Sequence, residues 1–177
     1  MNKGRHGSLL HEFFRWIQQD LGKSSEYGPS WSEALLGSLN FWGLLEGTHL
    51  IMLMLFFGTI LVVDLRLLGV LFKETPVSVL SKKVLPLTVF GFAAMIVTGL
   101  LLYFARPMDY YHNVWFRFKM VFLLIAMINI VVFHTKVQRN IEAWDTASKT
   151  PTSARVSAVL SLTAWFCVIM FGRFIAY

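Results

Sequence analysis

Residues Leu44–Arg66 read LLEGTHLIMLMLFFGTILVVDLR. From Leu50 to Val63 no residue is charged, and nearly all are Leu, Ile, Met, Phe or Val. Counted from Trp42, the run is long enough to cross a bilayer as a helix, which takes about 20 residues. Glu46 and His49 stand near its start, and Asp64 and Arg66 close it. Ionisable groups at membrane depth are costly and mark functional positions.

The rest of the chain has the same character. Of its 177 residues, 56% are hydrophobic and 15% charged, against about 25% charged in ordinary soluble domains. A mean hydropathy of +0.60 requires an apolar surface as well as an apolar core, and lipid is the solvent that accepts one. The net charge of +6 sits in short loops between apolar runs, the pattern of membrane flanks rather than of a nucleic-acid-binding surface. The single cysteine, Cys167, excludes an intrachain disulfide and any cysteine-built zinc or iron–sulfur site. No cleavable signal peptide is expected, because the first apolar residues are amphipathic rather than continuous.

Three further runs resemble the first, giving expected spans at about 42–63, 85–104, 115–134 and 156–176. Pro86 is expected in the first turn of the second span, where a missing N–H costs little. Gly43 and Gly47 form a small-xxx-small pair that admits another helix or a flat ligand. Short loops make the four spans an antiparallel bundle. Residues 1–41 form a separate tail. In it Leu9, Leu10, Phe13, Phe14, Ile17 and Leu21 recur at helical spacing, which predicts an amphipathic helix lying on the membrane or on a partner protein. Residues 22–30 are a linker. Ser30 and Glu33 have capping-box spacing for a short helix over 31–39, and another short helix is expected around 137–144. The fold expected is all-α: an integral membrane four-helix antiparallel bundle with an N-terminal interfacial helix.

Spans one and three run one way, two and four the other. The loops at the far side hold Arg66, Lys73, Lys82, Lys83, Lys136, Arg139, Lys149 and Arg155. The near side holds Arg106, Arg117, Lys119 and Arg173, with Lys3, Arg5, Arg15 and Lys23 in the tail. Short loops weigh more than a distal tail. The expectation is a bacterial inner-membrane protein with both termini on the outer, periplasmic side.

The chain has five histidines: His6, His11, His49, His112 and His134. His6 and His11 lie in the tail and are set aside. His134 closes the third span, about 30 Å from His112 and roughly 20 Å from His49 at 1.5 Å per residue. His49 and His112 are the pair that topology puts at one level. A heme needs axial nitrogen ligands, flat apolar walls and cations for its propionates. His49 and His112 would supply the metal ligands, with His134 a weaker candidate for a second site. Gly47 would supply the wall, and Arg106, Arg117 and Arg173 the rim. Glu46, one turn before His49, would fix the imidazole tautomer. Each has a plainer reading: His49 as a hydrogen bond to a neighbouring helix, His112 as a surface residue, His134 as interfacial polarity, the arginines as snorkelling cations, and Met52 and Met108 as packing.

These residues also carry a resemblance over residues 42–136. The first span has His49, Gly58 and a closing Leu65-Arg66. The second ends near Thr98-Gly99-Leu100. The third opens with Trp115 and Lys119 and ends Phe133-His134. The chain resembles the small membrane proteins of the copper-resistance D type and their relatives, the membrane protoporphyrinogen oxidases that bind heme b. The resemblance implies heme binding at His49 and a role for Arg66. It departs where the relatives usually close with Tyr-Leu-Pro-Arg and this chain has Val-Asp-Leu-Arg, which lowers the expectation of porphyrin oxidation. The tail before span one is also extra and suggests docking to another subunit.

Three readings of function follow. The leading one is a b-type cytochrome-like electron-transfer protein, a subunit of a larger membrane oxidoreductase assembly with membrane or periplasmic partner subunits and a quinone as a candidate partner, the redox partner itself not being given by the sequence. The second is a copper-handling transporter, with Met52, Met108, His49 and His112 as ligands. The third is a cofactor-free structural anchor in the lipid bilayer. No hydrolytic triad, phosphate loop or zinc motif points to a stand-alone enzyme.

Overall fold

The structure, a computed structural model, describes residues 9–23, 28–137, 139, 141, 144, 145 and 150–175. His6, Lys3, Arg5, Lys149, half of the segment expected as a short helix around 137–144, and position 176 lie outside the described residues. Among the described residues the regular structure is helical, with no strand. The helices are α1 (Leu9–Gln19), α2 (Trp31–Gly37), α3 (Leu39–Leu67), α4 (Val77–Ala105), α5 (Pro107–His112), α6 (Val114–Val132) and α7 (Thr152–Phe174), with a π-helical turn at Phe133–Val137. Four stretches are long and apolar enough to cross a membrane: Asn40–Leu67, Val77–Ala105, Val114–Val137 and Thr152–Phe174. This is a multi-pass membrane protein whose exposed Leu, Ile, Val and Phe side chains face lipid.

The described chain forms two compact units, divided inside α3 and α4. The first contains α1, α2, α3 as far as Ile51, α4 from Ala94, and α5. The expected capping box is present. The Ser30 hydroxyl accepts from the Glu33 N–H at 3.2 Å, and the Glu33 carboxylate accepts from the Ser30 N–H at 2.9 Å. The Ser30 hydroxyl also donates to the Gln18 carbonyl at 2.7 Å, and Ser32 donates to the Ala105 carbonyl at 2.6 Å. These bonds tie α2 to α1 and to the end of α4. Gly22 has φ +79°, and a Cβ there would lie 2.1 Å from the Trp31 ring. Only glycine suits both that backbone and that contact. Ser38 is extended and separates α2 from α3.

The second unit holds α3 from Met52, α4 up to Ala93, α6, the π turn and α7. Within it α3 and α4 run antiparallel: Gly91 lets the Phe56 backbone approach, and Thr88 donates to Thr59 at 2.9 Å. Helices α6 and α7 are also antiparallel. Asn129 donates to the Ser157 carbonyl at 3.0 Å, the Ser157 hydroxyl donates back to Asn129 at 2.8 Å, and Trp115 stacks on Phe171. Phe56 meets Trp165 of α7 edge to face, ring centres 4.7 Å apart. The buried face of α7 is Ala154, Ser157, Ala158, Ser161, Ala164, Trp165 and Val168, a stripe of mostly small residues at helical spacing.

One expectation is corrected. Helix α4 begins at Val77, so Pro86 lies inside the helix and not in its first turn. The reason is a remote cap: the Asp145 carboxylate accepts from the Ser78 N–H at 3.0 Å and from the Ser78 hydroxyl. A membrane helix tolerates the interior proline because neighbouring groups and local adjustment take up the freed carbonyl. Gly43 and Gly47 have open space where a Cβ would stand; the close approaches are at Gly91 and Gly99. At its other end α3 stops in a Schellman motif, with Gly69 at φ +73° and N–H bonds from Val70 to Leu65 and from Gly69 to Arg66.

Candidate functional site

His49 sits in α3 opposite Thr98 and Gly99 of α4. Its Nδ1 lies 2.8 Å from the Thr98 hydroxyl. That hydroxyl also lies 2.7 Å from the Ala94 carbonyl, one turn earlier on its own helix. A hydroxyl has one proton, and a carbonyl can only accept. Donation from Thr98 to Ala94 and acceptance from His49 Nδ1–H account for both distances, and that arrangement makes the imidazole the Nδ1–H tautomer. A ligating histidine is usually held this way, by a hydrogen bond to its other ring nitrogen. Gly99 lines the ring: a Cβ there would stand 3.3 Å from His49 Cε1.

Thr98, rather than Glu46, takes up Nδ1. Glu46 is exposed, and its charge acts on Tyr110. Gly47 lies two residues from His49, and residues so spaced do not share a helix face. Arg106, exposed between α4 and α5, stands over the Trp42 ring at 5.1 Å. Trp42 precedes His49 by seven residues, a rise of about 10 Å. A guanidinium is thus stationed at the end of α4, on the same unit as the imidazole.

His112 ends α5 and is exposed. Its ring neighbours are Tyr111 and His11, with the two imidazole centres 6.1 Å apart. The structure gives His49 and His112 different partners: Thr98 and Gly99 for the first, His11 and Tyr111 for the second. His11, set aside as a tail residue, belongs to this second group because α1 packs on α5. Phe14 meets Tyr103 and Tyr111, Tyr103 stacks on Tyr110, and the Gln18 side chain accepts from the Met108 N–H. Burial raises the Tyr110 phenol above its ordinary value. The Arg106 guanidinium opposes that shift, while Asp109 and Glu46 add to it. The phenol stays a neutral donor at physiological pH.

Arg117 and Arg173 are exposed on α6 and α7 of the second unit. His134 is in the same unit, in the π turn, with Nδ1 donating to the Ile130 carbonyl at 2.9 Å. Its ring serves the widened helix end. Among the described residues no group of three or more His, Cys, Asp or Glu is placed to hold a metal ion.

Sequence reading passed over Thr98 and Gly99 as site residues. The signal was present: the end of an antiparallel second span must lie beside the start of the first, and Thr98 is the polar residue there. Residues 37–177 match the model of DUF6644, a family of unknown function. The chain belongs to the DUF6644 family. The match takes in all four membrane-crossing stretches of this DUF6644 protein, whereas α1 and all but the last residue of α2 precede it. No curated protein matches the chain, and no solved structure does.

Proposed function

We propose that this DUF6644 protein is a membrane electron-transfer subunit of the b-type cytochrome kind, with His49 as an axial ligand of heme b. The observation that carries the reading is the 2.8 Å contact of His49 Nδ1 with the Thr98 hydroxyl, itself 2.7 Å from the Ala94 carbonyl, because a ligating histidine is usually held through its other ring nitrogen. Gly99 keeps the ring wall flat, and Arg106 beside Trp42 offers a cation to a propionate. Heme b would supply one-electron transfer at membrane depth. The chain's own part is to hold the imidazole tautomer, exclude water with apolar helix faces and neutralise carboxylates at the rim. His112 and His11 lie with Tyr111, so the second axial position is not assigned to them. In this reading the bacterial inner membrane is the location, with both termini periplasmic. The α1 face bearing Leu9, Leu10 and Phe13 docks on the bilayer surface or a partner subunit, and a quinone is the small redox partner.

The test is an ultraviolet–visible spectrum of the full-length protein purified in detergent from heme-replete cells. A Soret band is expected, and His49→Ala abolishes it while His134→Ala leaves it in place. A folded, colourless protein that also fails to take up added hemin would overturn the reading. Copper recovered by metal analysis in that colourless protein would point to the copper-handling alternative, and the lack of both to an anchor.

A further inference from the structure

Asp64 is an ionisable group in the second unit that the heme reading does not use. It is 6% exposed and lies three residues before the last residue of α3. One side-chain partner is the Ser161 hydroxyl of α7. The other carboxyl oxygen, Oδ2, is buried with no hydrogen-bond partner among the described residues. Arg66 is buried close by in sequence, but two residues along a helix point to different faces, and its Nε donates to the Thr75 carbonyl at 2.6 Å. Facing Asp64 from α7 is Ser161, and the next polar layer, Ser157 with Asn129 of α6, is uncharged and internally paired. The remaining ionisable groups at this end are directed elsewhere. Lys73, Glu74, Lys82, Lys83, His134, Lys136, Arg139 and Arg155 are exposed, and Asp145 caps α4. Among the described residues Asp64 forms no ion pair.

A carboxylate so placed has neither a counter-cation nor enough donors. An ionised group in such surroundings costs far more than a neutral one, and proteins resolve the conflict by neutralising it. We propose that Asp64, with Ser161, is a proton-binding site inside the four-helix unit. A hydronium ion from the adjacent water gives up a proton to Asp64 Oδ2: an O–H bond of hydronium breaks, the carboxyl O–H bond forms, a water molecule is released and the side chain goes from charge −1 to 0; the reverse step returns the proton to water. Asp64 lies about 4.5 Å of helix rise from the end of α3, so exchange with the adjacent aqueous side is short-range. The ligand is the proton, and the site is independent of heme.

Infrared spectroscopy of the detergent-purified full-length protein tests this at neutral pH in light and heavy water. A protonated-carboxyl carbonyl band is expected that shifts in heavy water, disappears in Asp64→Asn and moves in Ser161→Ala. Thermal unfolding gives a second readout. Because the folded protein keeps the proton where the unfolded chain has lost it, the wild-type midpoint falls as pH rises from about 4, the ordinary carboxylate value, towards neutral; Asp64→Asn flattens that dependence and matches the wild type at the acid end. Should Asp64→Asn fail to fold, Asp64→Glu with a displaced band and the Ser161→Ala shift carry the assignment. A carboxyl region unchanged by Asp64→Asn, or unshifted by both Ser161→Ala and Asp64→Glu, would overturn the proposal.

Discussion

At the scale of single residues, Thr98 sets what His49 is able to do. With the Thr98 hydroxyl donating to the Ala94 carbonyl, its lone pair accepts the Nδ1–H of His49. Thr98→Val keeps the shape but removes the acceptor for Nδ1–H. Outer partners of ligating histidines typically tune affinity by about 10–100-fold. The expected result is a heme affinity lower by about that factor, measured by hemin titration, with the fold intact by circular dichroism. Gly99→Ala tests the same contact sterically. Its Cβ would press His49 Cε1 at 3.3 Å, so the ring must give by a few tenths of an ångström, and a displaced Soret maximum is expected. Gly91→Ala behaves differently. Its Cβ would meet the Phe56 backbone nitrogen at 3.1 Å, and backbone yields less readily than a side chain. A loss of about 1–3 kcal/mol is expected, read as a lowered thermal midpoint without a spectral shift.

At the scale of elements, local chemistry and remote partners share control of the helix ends. The α2 cap is local: Ser30 and Glu33 are three residues apart, and their reciprocal bonds follow from sequence alone. Ser30→Ala is expected to cost about 1 kcal/mol, with a further loss from the Gln18 contact, measured by chemical denaturation. The α4 start is remote, since its cap is Asp145. Asp145→Ala is expected to fray residues 77–84, seen as faster amide exchange there and unchanged exchange in the apolar part of α4. Between α6 and α7 the Asn129–Ser157 pair works within an apolar surround. A double-mutant cycle with Asn129→Leu and Ser157→Ala is expected to give a coupling of about 0.6 kcal/mol, the usual size for such pairs in membranes.

At the scale of the whole molecule, four apolar helices make a multi-pass membrane protein, and the distribution of basic residues sets the expected sidedness. With Cys167 replaced by Ala, a cysteine introduced at Lys73 is expected to react with a membrane-impermeant thiol reagent only after the cytoplasmic side is opened. One introduced at Gln19 is expected to react in spheroplasts. The reverse pattern would invert the topology. The first unit gathers the tail helices onto α5 through His11, Phe14 and Gln18, so the tail residues are part of a packed structure and not only a tether. The second unit is the four-helix packing that hydropathy anticipates, with α7 the most enclosed of its helices because small side chains let its neighbours close in.

The sequence by itself determined that the chain enters a membrane, that it does so four times, where the apolar runs lie, and that α2 is capped by Ser30. These properties are summed over neighbouring residues: the transfer energy of a 20-residue run and the geometry of a single turn need no knowledge of the rest of the chain. Only the tertiary structure decided that Thr98 holds His49, that Asp145 starts α4, that helices approach at Gly91 and Gly99 instead of Gly43 and Gly47, and that His112 stands with His11. Each of these depends on the rotation and register of one helix against another. For helices with almost uniformly apolar surfaces, the hydropathy pattern carries little trace of which face turns inward. The small residues of α7 and the few buried polar atoms choose that face by contact, between positions far apart in the chain.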